Sequence, residues 1–200
     1  MASCRALLAY ICLFAMILSG SFFHLPLFHN LLHNLFLSKT EATLLYLAFS
    51  CASTVISFFL LLMPENTERM KATFPATLLA GIGLMLIGPS RIFVLPNSAT
   101  IILTGLILTG AASTVPTALA FSEVILVSRT RFSNTNYERL LDVSASLFSF
   151  WKGAGLVAAP LIGSFFESLG GYRRACEAVS IMVILFSWFL ACVYSVQTQI

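Results

Sequence analysis

The sequence predicts an all-α membrane protein with six transmembrane helices. Its charges are clustered and leave uncharged stretches at 6–38, 42–64, 72–90, 92–122 and 178–200, plus an apolar stretch at 143–166 interrupted only by Lys152. A helix needs about 20 apolar residues to cross a bilayer. Composition agrees, because 58% of the 200 residues are hydrophobic and 10% are charged, whereas soluble domains carry about 25% charged residues.

The expected spans are about 6–28, 42–63, 73–94, 99–127, 141–166 and 175–196. They form a single six-helix domain over residues 1–200 and leave only loops and tails between them, so no water-soluble domain is expected. The net charge of +3 is too small and too scattered to predict a nucleic-acid partner. The lipid bilayer is the partner that this composition predicts.

The first span begins after Arg5 and has one feature of a signal peptide, since Ser19-Gly20-Ser21 offers small residues for cleavage. Apolar residues resume at Phe22, which makes the stretch longer than a typical signal-peptide core and favours a span. Three histidines, His24, His29 and His33, lie at its far end. No carboxylate or thiolate lies nearby to act as a third metal ligand. We therefore expect ordinary histidines at the membrane interface, with pH sensing as the alternative.

An even number of spans places both termini on the same side of the membrane. That side has six basic residues, namely Arg5, Arg69, Lys71, Arg129, Arg131 and Arg139. The opposite side has four: Lys39, Arg91, Arg173 and Arg174. The excess of positive charge predicts that both termini are cytoplasmic.

The fourth and fifth spans each carry a polar face. On a helical projection one face of the fourth contains Gly105, Thr109, Ser113, Pro116, Thr117 and Glu123. The fifth groups Asp142, Ser146, Ser149, Gly153 and Pro160 in the same way, with Lys152 at the edge. Two polar faces on apolar helices predict a shared interior or a water-filled cavity.

Helix breakers are concentrated in the same two spans. They are Gly105, Gly110, Pro116, Gly153, Gly155, Pro160 and Gly163. Small residues allow helices to approach closely in lipid, and prolines are tolerated where neighbouring helices satisfy the backbone. These residues are therefore expected either to pack helices or to form hinges.

Lys152 lies about eleven residues into its span, roughly 16 Å deep. An ammonium group at that depth costs on the order of 3 kcal/mol unless it is paired or hydrated. The structural interpretations are an ion pair with Glu123 or a lysine side chain that extends to the interface. The functional interpretation is a role in substrate binding or proton coupling.

No arrangement of residues typical of a hydrolase or transferase is present, so neither an enzyme nor a cofactor is expected. The five cysteines have no metal-binding spacing and are interpreted as small hydrophobic residues: Cys4, Cys12, Cys51, Cys176 and Cys192. No metal site is predicted.

The run from Ser144 to Tyr172 resembles the eleventh helix of major facilitator superfamily transporters. In both, a glycine-rich stretch precedes a proline, here Pro160, and a small residue, here Gly163, follows before a Gly-aromatic turn. Ile87-Gly88-Pro89 and the segment from Pro116 to Glu123 are similar to the C-terminal half of vesicular amine and drug–proton antiporter-like members.

The resemblance implies a major-facilitator-like half bundle that transports a small solute by alternating access. Candidates for the solute or coupling-ion pathway are Lys152, Glu123, Ser149, Ser113 and Thr117. Because the site of such transporters lies between two halves, a second six-helix half is expected. It would be an upstream segment, a partner chain or a second copy, and the position of Met1 near the expected start of a seventh helix favours the upstream segment.

Two departures from the family pattern affect this expectation. The loop from Pro64 to Lys71 lacks the Gly…Asp-Arg pattern, and Ser149 stands where amine-transporting relatives place an acidic residue. With Lys152 nearby, an anionic or neutral solute is favoured over a cationic one. The rival hypothesis is a non-transporting scaffold or assembly subunit, in which Lys152, Glu123 and Ser149 would be paired and dry.

Overall fold

The computed structural model describes residues 35–62, 69–90, 96–131 and 137–198, together with Ile11, Ala15, Ile17, Leu27 and Leu31. Side chains are described over these ranges except at 69–71, 123, 127, 130, 131, 137 and 193–198. The four ranges contain no strand and form four α-helices: α1, Lys39–Leu61; α2, Arg69–Ile87; α3, Ala99–Arg131; and α4, Tyr137–Thr198. The predicted all-helical class is confirmed for this part of the chain.

In the described part of the chain, three helical segments are long and apolar enough to cross a membrane: Lys39–Leu61, Ala99–Leu126 and Glu138–Cys192. A shorter apolar segment, Ala72–Ile87, accompanies them. Large apolar side chains lie exposed on the outside of the bundle, among them Phe58, Leu61 and Leu161. Lipid accepts such a surface, whereas water would not.

α4 is interrupted at Gly171, whose backbone has φ 76° and ψ 168°. This positive φ suits glycine because glycine lacks a Cβ atom. The break divides α4 into segments 137–170 and 172–198, and the predicted spans 141–166 and 175–196 fall on either side of it. The turn expected at Gly170-Gly171 is therefore present.

The helix ends differ from the predicted span ends, and local chemistry explains two differences. α1 begins at Lys39 because Ser38 and Glu41 form a capping box, in which the Ser38 amide donates to Glu41 Oε2 at 2.8 Å. α2 ends at Ile87 rather than continuing to 94, because the Gly88-Pro89 turn follows directly.

Two segments predicted as loops are partly helical. The helical backbone starts at Arg69, inside the predicted loop from Glu65 to Lys71, and α3 continues to Arg131. No glycine or proline lies between Pro116 and Arg131 to end that helix. The first predicted span, 6–28, and the histidines at its end lie outside the described residues, apart from the four apolar side chains at 11, 15, 17 and 27.

α2 and α3 pack at backbone distance through Gly83 and Gly105. A Cβ atom on Gly105 would lie 2.7 Å from the Ile87 amide nitrogen and 2.8 Å from the Gly83 carbonyl oxygen. A Cβ atom on Gly83 would overlap Thr109 Oγ1. Only glycine fits at these positions, so the two helices approach more closely than side chains would allow.

Similar contacts attach α1 to α3 and α4 to α2. A Cβ atom on Gly110 would lie 2.5 Å from the Phe49 carbonyl oxygen of α1. The Ser180 hydroxyl of α4 donates to the Gly81 carbonyl of α2 at 2.6 Å, and the buried Tyr172 hydroxyl donates to the Ile87 carbonyl at 2.7 Å. These hydroxyls satisfy backbone carbonyls of a neighbouring helix in an apolar setting.

The helix breakers have different surroundings. Gly105 and Gly110 pack against neighbouring helices, as the packing interpretation expects. Pro116, Gly155 and Gly163 are buried, and Pro160 is half-buried within a continuing helix. Gly153 is exposed, and no described atom lies within 4 Å of a Cβ atom built on it.

Replacing Gly105 by Ala is expected to destabilise the bundle, because its methyl group meets backbone atoms that cannot rotate away. Overpacking of this kind costs about 1–3 kcal/mol. Gly153→Ala is the matched control, since it adds the same methyl group in open space and gains up to about 1 kcal/mol of helix propensity. Thermal denaturation monitored by fluorescence-detected gel filtration compares them, and equal melting temperatures would contradict the packing assigned to Gly105.

Candidate functional site

A cavity of about 670 Å³ lies between α1, α3 and the first segment of α4. Small-molecule sites typically occupy about 300–1,000 Å³. Ile17, from the first predicted span, also lines it. The cavity therefore has the volume of a small-molecule site and is surrounded by several predicted spans.

The described lining carries one ammonium group, from Lys152, and no carboxylate. Six hydroxyl groups accompany it: Ser53, Ser57, Ser113, Thr114, Thr117 and Ser149. Three aromatic rings also line the cavity, Phe49, Phe121 and Phe148, and the last two contact each other edge to face at 5.1 Å. The wall thus combines a cation and hydroxyls with apolar rings.

Lys152 belongs to a continuous lining face of α4. Ala145, Phe148, Ser149, Lys152 and Leu156 recur at three- and four-residue steps and all line the cavity. The projection from sequence put Lys152 at the edge of a face centred on other residues. In the structure Lys152 lies within the lining run, and its side chain is exposed.

Four of the five candidate pathway residues line this one cavity: Lys152, Ser149, Ser113 and Thr117. The fifth, Glu123, lies on α3, but its side chain is outside the described part of the structure. An ion pair between Glu123 and Lys152 stays a prediction.

The predicted polar face of α3 is divided between two roles. Gly105 and Thr109 lie against α2, whereas Ser113 and Thr117 line the cavity. On α4, Ser146 is exposed and donates to the Asp142 carbonyl at 2.9 Å instead of lining the cavity. Glycines and hydroxyls on one helical face can therefore serve packing at one level and a cavity at another.

Sequence reasoning missed the contribution of α1. Phe49, Ser53 and Ser57 are spaced four residues apart and line the cavity together. That spacing on an apolar helix was a usable signal. Thr114 on α3 was missed for a different reason, since it lies about 60° outside the predicted polar face at 100° per residue.

Most of these hydroxyls donate to backbone carbonyls. Thr114 donates to the Gly110 carbonyl at 2.7 Å, and Thr117 donates to the Ser113 carbonyl at 2.7 Å. Ser53 Oγ lies 2.7 Å from Thr114 Oγ1. Because a hydroxyl has one hydrogen and Thr114 uses its own toward Gly110, Ser53 is the donor in this pair.

The described residues contain no group of three metal-ligating side chains. Three cysteines are described, all unpaired: Cys51 and Cys192 are exposed, and Cys176 is buried. None of them lines the cavity. No cysteine chemistry is therefore assigned to this site.

Comparison of the chain with protein-family models, with curated proteins and with solved structures finds no match. The class of protein rests on the fold and the cavity themselves. The long apolar helices indicate a membrane protein, and a cavity lined by hydroxyls, one lysine and apolar side chains lies between its helices.

The Ser53–Thr114 contact is expected to couple α1 and α3 energetically. Interhelical hydrogen bonds in membrane proteins contribute about 0.6 kcal/mol on average. A double-mutant cycle with Ser53→Ala and Thr114→Val should return a coupling of about that size. Ser57→Ala with Thr104→Val is the control cycle, because the two hydroxyls donate separately to their own helices, and equal coupling in both cycles would contradict the assigned contact.

Proposed function

We propose that this chain is a six-helix, major-facilitator-like half of a transporter that moves a small solute by alternating access. One observation carries the proposal. Lys152 and Ser149 of α4 share a cavity with Ser113 and Thr117 of α3, and the outside of the bundle is apolar. The sequence resemblance supplies the transporter class.

The cost of the lysine supports a functional interpretation. An unpaired ammonium inside a membrane costs roughly 3 kcal/mol and is retained mainly where it lines an ion or substrate pathway. Lys152 lines a cavity whose described residues include no carboxylate to neutralise it. A hydrated cavity, and then a bound solute, would offset this cost.

Six spans follow if the first predicted span joins the described helices. The apolar segment Glu138–Cys192 has 55 residues, more than twice the length that one crossing needs. We therefore assign two crossings to α4, one on each side of Gly171. With α1, α2, α3 and the span at 6–28, this gives six crossings and therefore both termini on one side, which the excess of basic residues favours as the cytoplasmic side.

A second six-helix half completes the proposed transporter. Alternating access requires two bodies that rock around a shared site. The cavity lined by α1, α3 and α4 is the surface that this half contributes to the site. The second half would come from an upstream segment, a partner chain or a second copy.

The alternative function is a non-transporting scaffold, and the glycine contacts favour it. Gly83, Gly105 and Gly110 serve close helix packing, which a scaffold also needs. A scaffold gives no reason for an exposed lysine among hydroxyls at a cavity. The two functions differ in whether water reaches this cavity from the two sides of the membrane.

Cysteine labelling in sealed membrane vesicles tests the proposed function. In a background with the five native cysteines replaced, Ser149→Cys is expected to react with a membrane-impermeant thiosulfonate added to either side, since alternating access opens the site to both. Val157→Cys is the control because Val157 is 67% exposed on the same helix but does not line the cavity. Its reaction should stay at background.

Reaction of Ser149→Cys from one side only would indicate a fixed vestibule and contradict alternating access. No reaction from either side would support the dry scaffold. Equal reaction at Ser149→Cys and Val157→Cys would show that the reagent does not report on the cavity, and the labelling would then be repeated at Thr117→Cys.

A further inference from the structure

We propose that the cavity recognises a small carboxylate that also carries a hydrogen-bond donor, such as a hydroxyl group, and an apolar body. This substrate class rests on the proposed transport site. Three features of the described lining lead to it: a donor side on α4, an acceptor side on α1 and α3, and aromatic rings.

The donor side consists of Lys152 and Ser149. The ammonium group carries three hydrogens and has no acceptor capacity, and hydrogen bonds from it to a carboxylate are charge-assisted. Ser149 lies three residues before Lys152, on the same lining face. Its hydroxyl forms no hydrogen bond with any described residue, so it adds a second donor to this side.

The acceptor side consists of hydroxyl oxygens whose hydrogens are already used. Thr114 and Thr117 donate to carbonyls of their own helix, and Ser57 donates to the Ser53 carbonyl at 2.9 Å. Ser53 donates to Thr114. In an apolar helix these intrahelical bonds are favoured because the carbonyls are the available acceptors. Each oxygen therefore keeps at least one lone pair for a donor on the ligand.

The charge of the cavity selects against cations. A ligand cation about 5 Å from the Lys152 ammonium would be repelled, whereas an anion at that distance would be attracted by the same amount. The described lining supplies no carboxylate to reverse this preference. A neutral ligand would gain neither effect, so the expected order of affinity is anion, neutral molecule, cation.

The apolar part of the wall consists of three aromatic rings and four aliphatic side chains: Phe49, Phe121, Phe148, Ile17, Ala118, Ala145 and Leu156. Phe121 and Phe148 already contact each other edge to face, which leaves an aromatic surface for the apolar part of a ligand. A bare inorganic anion would leave this surface unused. An aryl or branched alkyl carboxylate would cover it.

Four probes with the same carbon skeleton test the class on the full chain in lipid nanodiscs. They are 3-phenyllactate, 3-phenylpropionate, 3-phenylpropanamide and 3-phenylpropylammonium, with binding measured by equilibrium dialysis. We expect the affinity to decrease in the order in which these probes are named. The step from the carboxylate to the amide should be about tenfold or more, as for the loss of a charge-assisted hydrogen bond.

Substitutions at Lys152 test the donor side. Lys152→Gln should weaken 3-phenylpropionate about ten- to hundredfold while changing 3-phenylpropanamide by less than about threefold. Lys152→Arg should retain the preference for the carboxylate, because it keeps the charge. Lys152→Glu should invert the order of 3-phenylpropionate and 3-phenylpropylammonium.

The acceptor side has a matched pair of variants on α3. Thr117→Val removes a cavity-lining hydroxyl and should abolish most of the advantage of 3-phenyllactate over 3-phenylpropionate. Thr104→Val removes a hydroxyl with the same bond to its own helix, at 2.9 Å to the Thr100 carbonyl, but away from the cavity. It should leave that advantage unchanged.

Failure of the substrate class can be distinguished from failure of transport. Saturable carboxylate binding with Ser149→Cys labelled from one side only would retain the substrate class and reject alternating access. Labelling of Ser149→Cys from both sides, with no charge preference among the probes, would retain alternating access and reject the substrate class. The proposal is overturned if none of the four probes binds saturably, or if Lys152→Gln leaves the affinity ratio of 3-phenylpropionate to 3-phenylpropanamide unchanged.

Discussion

The rest of the described structure depends on the close approach of α2 and α3 at Gly83 and Gly105. There the two backbones are so close that neither position has room for a Cβ atom. This close approach adds dispersion contacts between the helices, which matter in a membrane because lipid removes the hydrophobic driving force for helix association. α1 packs against α3 at Gly110, and the second segment of α4 is joined to α2 by the hydrogen bond of Ser180. The break at Gly171 leaves the first segment of α4 to border α1 and α3.

This arrangement leads to the cavity. The second segment of α4 is attached to α2, so the faces of α1, α3 and segment 137–170 that carry hydroxyls are not covered by it. Hydroxyls tolerate an apolar surrounding because they donate to carbonyls of their own helix, as Thr117 does. The Lys152 ammonium group is not satisfied by its own helix in this way, because it needs an anion or water. The same geometry that packs the bundle thus provides a place where a solute would be recognised.

The sequence predicted the helices well and the contacts between them less well. Uncharged stretches are a direct consequence of the cost of charge in lipid, so α1, α3 and the two segments of α4 could be located from them. Gly83 could not be singled out, because the need for glycine there arises from Thr109, a neighbour 26 positions away on another helix. Lys152 could be singled out from the sequence because a lone charge in an apolar stretch is rare. The four-residue spacing of Ser53 and Ser57 indicated a shared face of α1, but assigning that face to the cavity required knowing that α1 packs against α3.

A solute site requires the cavity to be hydrated when the protein is in a membrane, and spin-label accessibility measures this hydration. A nitroxide attached at Thr117→Cys, on the cavity side of α3, is compared in bilayers with one at Ile107→Cys, a position 45% exposed on the same helix and outside the cavity. A water-soluble nickel relaxation agent is expected to reach the label at 117, whereas oxygen, which concentrates in lipid, is expected to dominate at 107. Dominance of oxygen at both positions would mean that the cavity is dry or filled with lipid, and the cavity could then not be a hydrated solute site.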